Sequence, residues 1–142
     1  MPLENFGSIL NFAEQLEKQD QDFFAAAAEN PECADFKEIF TQFAVDSGKN
    51  IKTVQRTRRE NVTEMILEPI RDFVRAPYCE ECAEAGSMSA EAALATANRL
   101  VDRAQRYYTE AAEKIKALPE VARALKTIAK KHKVHREKLA SL

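Results

Sequence analysis

The sequence contains little of what interrupts a helix. Its 142 residues include three glycines, five prolines and no tryptophan. Glycine and proline are the residues least compatible with a helix interior, so their scarcity beside abundant alanine, leucine, glutamate and lysine predicts an all-α protein. A chain of this length can bury a core without a disulfide or metal staple. We therefore expect a single domain over residues 1–142.

Long apolar runs are absent as well. No run approaches the roughly 20 apolar residues that a bilayer-spanning helix needs, and residues 1–5 lack the basic and apolar regions of a secretory signal. We therefore expect a cytoplasmic protein without membrane association. The net charge of −2, and the lack of aromatic residues within the basic stripe of the last helix, predict no nucleic-acid partner.

Cysteine is scarce and odd in number. Three cysteines cannot all pair within one chain, which excludes a complete disulfide framework. Cys79 and Cys82 form a single Cys-x-x-Cys motif. Such a pair supplies half of a tetrahedral zinc site, which a second copy of the chain could complete; it could also be a redox pair or two surface thiols. The sequence does not decide among these three hypotheses.

The two histidines of the chain lie on one apolar stripe near its end. The stripe residues recur at steps of three and four, which is the spacing of one buried helix face. Both imidazoles are therefore predicted to occupy core positions. The stripe consists of Val121, Leu125, Ile128, His132, His135 and Leu139.

This stripe has a counterpart in the first half of the chain. Ser47 and Asn50 stand where the last helix has His132 and His135, and the surrounding apolar residues match in the same register. The counterpart consists of Phe40, Phe43, Ala44, Ser47, Asn50 and Val54.

The helices that precede the two stripes also match one another. Each carries an aromatic pair, Phe23–Phe24 in the first and Tyr107–Tyr108 in the second. Two repeated helical hairpins, over residues 8–55 and 90–139, are therefore predicted to form one four-helix bundle. The crossover of residues 56–89 that joins them is predicted to contain a short helix.

Two carboxylates, Glu17 and Asp20, interrupt the apolar arc of the first helix. Burying a carboxylate alone costs several kcal/mol or forces its protonation, so each needs a partner. The polar residues of the first, second and fourth helices are predicted to gather at one level of the bundle.

Two repeated hairpins, a crossover and a carboxylate inside the first helix resemble the rubrerythrin-like branch of the ferritin-like family. Residues 16–24, Leu-Glu-Lys-Gln-Asp-Gln-Asp-Phe-Phe, are similar to its first-helix signature. The resemblance covers about residues 8–55 and 90–139, together with Leu67-Glu68-Pro69-Ile70 in the crossover. It implies a ferritin-like four-helix bundle and a site for two irons, with one Glu from each of helices 1 and 3 and a Glu-x-x-His from each of helices 2 and 4.

Most of those ligands are replaced in this sequence. Glu17 retains the first carboxylate and His135 retains the histidine of the fourth helix. The resemblance therefore implies a protein that has lost most di-iron ligands and is non-catalytic or regulatory. The remaining four positions hold Ser47, Asn50, Val101 and His132.

An alternative function uses the metal-binding side chains that remain at these positions. Glu17, His132 and His135 supply one carboxylate and two imidazoles, the ligand set of a mononuclear iron or zinc site, with Asp20 and Asn50 close enough to join. The protein would then be a metal-dependent oxidoreductase with iron- or peroxide-related chemistry. In the competing interpretation the same side chains pair with one another and hold no metal. Iron, zinc and no metal all stay open.

A homodimer is expected, and an unidentified protein partner is an alternative. The proposed dimer contact consists of apolar crossover residues, Met65, Ile66, Ile70 and Phe73. A basic stripe on the last helix is interpreted as a solvated face. The alternative interpretation is that it docks onto an acidic partner. The stripe consists of Arg123, Lys126, Lys130 and Lys133.

Overall fold

The computed structural model describes residues 6–60, 73–79 and 85–142. These residues form four helices: α1 (Phe6–Glu29), α2 (Lys37–Glu60), α3 (Ala90–Lys114) and α4 (Pro119–Ala140). Short 3-10 helices occupy Pro31–Phe36, Ala76–Tyr78 and Ala85–Ser87. The predicted all-α class and the four helices are confirmed. Helix α2 continues beyond the predicted end of the first hairpin at residue 55, and the predicted crossover helix falls on residues 61–72, outside the described ranges.

The helices pack as two pairs. α1 lies along α2 and α3 lies along α4, and the pairs meet through contacts of α1 with α3 and of α2 with α4. The Tyr107 hydroxyl donates to the Ile9 carbonyl at 2.7 Å, and the Asn30 amide donates to the Met88 carbonyl at 2.7 Å. The beginning of α1 thus meets the later part of α3 and its end meets the segment before α3, so α1 and α3 are antiparallel.

Local capping explains where the helices begin. The Asn30 side chain accepts a hydrogen bond from the Glu32 backbone at 3.0 Å, and Pro31 follows it at the start of the 3-10 turn. Ser89 accepts from the Ala92 backbone at 3.1 Å and caps α3, as predicted. Pro119 occupies the first turn of α4, where its missing N–H has no cost.

Two apolar clusters fill the bundle, and a polar layer separates them. One cluster contains the early part of α1, the late part of α3 and the early part of α4. The other contains the late part of α1, the first half of α2 and the early part of α3. All six residues of the predicted α4 stripe are buried, including both histidines. The buried polar side chains between the clusters are Glu17, Asp20, Ser47, Asn50, Arg103, His132 and His135.

Candidate functional site

Glu17 lies at the centre of this polar layer. Its Oε1 atom accepts hydrogen bonds from the Tyr108 hydroxyl at 3.0 Å and from the Asn50 amide at 3.4 Å, and it lies 2.7 Å from His132 Nε2. The 2.7 Å contact has the length of a charge-assisted hydrogen bond. The carboxylate that the sequence predicted to need a partner therefore has three, from α2, α3 and α4.

Glu17 also sets the protonation of His132. Burial by itself would lower the pKa of this imidazole. The charge of Glu17 and its hydrogen bond oppose burial, as does the charge of Asp20, and together they hold the pKa of His132 above its ordinary value. The imidazole stacks on the Tyr108 ring, with centroids 5.6 Å apart and planes at 12°. His132 is thus fixed in place and favoured as the imidazolium cation.

Asp20 has a partner that we did not predict. Arg103 Nη2 lies 2.6 Å from Asp20 Oδ1, while Arg103 Nη1 donates to Gln19 Oε1 and to the Tyr78 carbonyl, each at 3.1 Å. The Arg103 and Asp20 side chains are 0% and 1% exposed. Burial raises the pKa of Asp20 to about 7, although the charge of Arg103 opposes the shift.

Charges balance within this layer. Glu17 and Asp20 are two acids, and Arg103 and His132 are two bases. If the dissociable proton moves from His132 to Asp20, the sum of the four charges is still zero. A buried ion cluster is tolerated only when it is compensated in this way. The formal charges of the four side chains, which we call the charge cluster, therefore sum to zero without an added ion.

The other histidine faces a different partner. His135 Nε2 lies 2.8 Å from Asp46 Oδ2, and its ring stacks on Phe43 with centroids 4.0 Å apart. Burial lowers the pKa of His135, and the hydrogen bond with Asp46 offsets part of that shift. Of the proposed ligand set, the structure thus brings Glu17 and His132 together and directs His135 Nε2 toward Asp46 on α2.

A single cation could be held by part of the charge cluster. Glu17, Asp20 and His132 each offer one ligand atom. These three atoms lie within 4.8 Å of one another. Within the described ranges, Glu17 Oε2, His132 Nδ1 and Asn50 Oδ1 are buried and have no hydrogen-bond partner. One ion would have suitable ligand types here. It would have to displace Arg103 from Asp20 and the proton from His132.

A two-iron centre does not fit these residues. The ferritin-like site uses four carboxylates, whereas the charge cluster has Glu17 and Asp20. The guanidinium of Arg103 already neutralises one of them. Ser47 and Asn50 on α2 supply no anionic ligand.

For the predicted cysteine pair and the predicted dimer contact of the crossover, the structure describes only Cys79 and Phe73. Cys79 is an exposed free thiol, and Cys82 lies outside the described ranges. Phe73, which we assigned to a dimer contact, is 3% exposed and stacks on Tyr107 of its own chain at 5.6 Å. That assignment was wrong for Phe73, because its ring completes the core; Met65, Ile66 and Ile70 lie outside the described ranges.

We did not predict a role for Arg103, although its spacing from apolar residues of α3 indicates a buried position. Arg103 lies three residues after Leu100 and four before Tyr107, which places it on the apolar arc of α3. A cation on the buried face of one helix complements a carboxylate on the buried face of another. The spacing therefore places both Arg103 and Asp20 on buried helix faces, but it does not show that the two side chains contact each other.

Comparisons with protein-family models, curated proteins and solved structures find no match. None of the helices in the described part of the chain is both long and apolar enough to cross a bilayer.

Proposed function

We propose that this protein is a ferritin-like bundle of the rubrerythrin-like kind that has lost most of its di-iron ligands and acts without catalysis, as a binding or regulatory protein. The observation that carries the proposal is the 2.6 Å pair of Arg103 and Asp20 inside the polar layer. In a di-iron protein, metal ions neutralise the inward-facing carboxylates. In this chain a guanidinium supplies positive charge at the same level.

The burial of the charge cluster supports a structural role for it. Glu17 and Arg103 are fully buried and His132 is 1% exposed. A substrate could not reach these groups unless the helices separated. The cluster therefore serves to hold α1, α3 and α4 together, and the function lies on the surface of the bundle.

Metal content provides the test. We would purify the protein without chelators or metal-affinity resin, measure iron and zinc, and record the Tm with and without added Zn²⁺ or, under anaerobic conditions, Fe²⁺. A ligand that binds the native state raises the Tm. We expect well below one metal ion per chain and no rise in Tm that depends on Glu17.

One outcome would overturn the proposal: about one equivalent of iron or zinc that is lost in Glu17→Gln and retained in the matched variant Asp102→Asn. Asp102 lies on the partly exposed side of α3, in an ion pair with Arg106. Zinc lost in Cys79→Ser but retained in Glu17→Gln would indicate a separate site at the crossover cysteines.

The second candidate function is a metal-dependent oxidoreductase. It is favoured by the proximity of the Glu17, Asp20 and His132 ligand atoms and by the partnerless atoms around them. These three residues would hold the ion, which would supply redox or Lewis-acid chemistry when bound. This candidate requires that Glu17→Gln abolish both bound metal and any peroxide-dependent oxidation, with Asp102→Asn as the control.

A further inference from the structure

A cleft of about 270 Å³ lies between α2 and α4 and is lined in part by His135. Lys49 of α2 and Lys131 and Lys138 of α4 line it. Val134 forms an apolar wall and is 48% exposed. Three lysine side chains from two helices thus line one small concave surface, which we call the lysine cleft.

The opposite side of α4 has a different charge balance. A cleft of about 520 Å³ between α3 and α4 is also lined by three lysines, Lys126, Lys130 and Lys133, but Glu110 and Glu113 face them from α3. Acidic side chains there offset most of the positive charge. The lysine cleft contains one acidic residue, Asp46.

Asp46 is already occupied by other groups. Its Oδ2 atom is 2.8 Å from His135 Nε2, and its Oδ1 atom accepts from the Gln42 amide at 2.9 Å. Burial acts against ionisation of Asp46, but these hydrogen bonds prevail and lower its pKa, so it stays an anion. The formal charge of the lining is three positive against one negative, counting the three lysines and Asp46.

The three lysines are not held in close ion pairs within the described residues, although the charge of Lys49 helps to lower the pKa of Asp46. Within the described part of the chain, none of Lys49, Lys131 and Lys138 takes part in an ion pair. Lysine ammonium groups bind phosphate oxygens as flexible point charges. A dianion would neutralise the net charge of the lining.

We propose that the lysine cleft binds the phosphate group of a small phosphate monoester. Its volume lies just below the roughly 300–1,000 Å³ of pockets that hold drug-sized ligands, which favours a small molecule. The dianionic head contacts the lysines, and the organic part lies against Val134. The lysine cleft shares none of the four side chains of the charge cluster, and the site does not depend on the proposed function.

An NMR titration tests the proposal. We would add inorganic phosphate or phenyl phosphate to ¹⁵N-labelled protein at constant ionic strength, because attraction between exposed charges is screened by salt. We expect saturable shifts confined to residues 45–49 and 131–138, with tighter binding of phenyl phosphate. Equal affinity for the two would overturn the monoester assignment, because the organic part would then make no contact.

Matched lysine variants separate a site from general attraction. Lys49→Gln, Lys131→Gln and Lys138→Gln should each weaken binding by about fivefold, the upper range for an exposed charge pair. Lys130→Gln removes the same charge from the other side of α4 and should leave the affinity unchanged. If Lys130→Gln weakens binding as much as Lys131→Gln, or if no saturable shift occurs, the proposal is wrong.

Discussion

Arg103 Nη2 lies 2.6 Å from Asp20 Oδ1, and the two side chains come from the antiparallel helices α3 and α1. The same guanidinium reaches Gln19, which stands 84 residues earlier and occupies the corresponding position of the first repeat. Arg103 therefore links α3 to two neighbouring residues of α1.

Arg103→Met should be among the most destabilising single substitutions in the protein. It leaves Asp20 buried without its cation, and breaking a buried pair typically costs about 3–5 kcal/mol. Urea unfolding would measure the loss. Arg106→Met is the matched control, because the Arg106–Asp102 pair is largely exposed and should contribute less than about 1 kcal/mol. A similar loss in the two variants would contradict the assigned role of Arg103.

Replacing both partners should cost less than the sum of the single substitutions. Asp20→Leu alone leaves the Arg103 charge buried, whereas Asp20→Leu with Arg103→Met leaves two apolar side chains. Buried ion pairs replaced by apolar residues are often neutral in stability. We expect a double-mutant cycle to show a coupling of more than about 1 kcal/mol. Additive losses would mean that the two side chains do not depend on each other.

Stability should fall as the pH rises above about 6.5, the ordinary pKa of an unfolded histidine. The pKa of His132 is raised in the folded state, so the native protein holds a proton that the unfolded chain has lost. The contribution is full below about pH 6.5 and is lost as the pH rises through the folded pKa, with a slope of up to about 1.4 kcal/mol per pH unit. The pKa of Asp20, raised to about 7, also makes stability fall with rising pH, but between about pH 4 and 7.

Urea unfolding between about pH 6.5 and 8.5 would show this slope, and His132→Gln should reduce it. His135 provides the control, because its pKa is lowered and its contribution is lost as the pH falls below about 6.5. His135→Gln should therefore leave the alkaline slope intact. An alkaline slope that disappears in His135→Gln but persists in His132→Gln would reverse the assignment.

Gly48→Ala should stabilise the protein by about 0.5–1 kcal/mol, because glycine is unfavourable inside a helix and Gly48 lies within α2. The added Cβ would meet Gln21 Nε2 at 2.9 Å, the far end of a flexible side chain that can move aside. Thermal denaturation would measure the gain. If the gain appears only when Gln21 is also changed to alanine, the Gln21 amide is more rigidly held than we propose.

Cys33 should react slowly with thiol reagents in the native protein. Its side chain is fully buried, and burial together with the nearby Glu32 charge raises the pKa of its thiol. In a Cys79→Ser, Cys82→Ser variant, colour development with a disulfide reagent should await unfolding and accelerate in urea. Rapid reaction in buffer would show that the loop between α1 and α2 opens readily.

Much of the fold could be predicted because helical patterns are local. The stripe of α4, the cap at Ser89 and the position of Pro119 follow from neighbours along the chain, and the structure confirms them. The need of Glu17 and Asp20 for partners also follows from their place on an apolar arc. Neither inference requires knowledge of how the helices pack.

The identity of those partners could not be predicted in the same way. His132 and His135 share one helix stripe, yet His132 pairs with Glu17 of α1 and His135 with Asp46 of α2. Residues three apart on a helix differ by about 60° in direction, which is enough to aim them at different neighbouring helices. His132 and His135 therefore contact different acidic residues, although both belong to the buried stripe of α4.

The sequence by itself determined the helices, their buried faces and the presence of a polar layer, because these depend on residue spacing along a helix of known pitch. Tertiary structure alone decided that Arg103 neutralises Asp20, that His135 turns to Asp46 and that three lysines converge on one cleft. Those contacts join residues far apart in the chain. They depend on the rotation and axial offset of each helix against its neighbours, which short-range spacing does not specify.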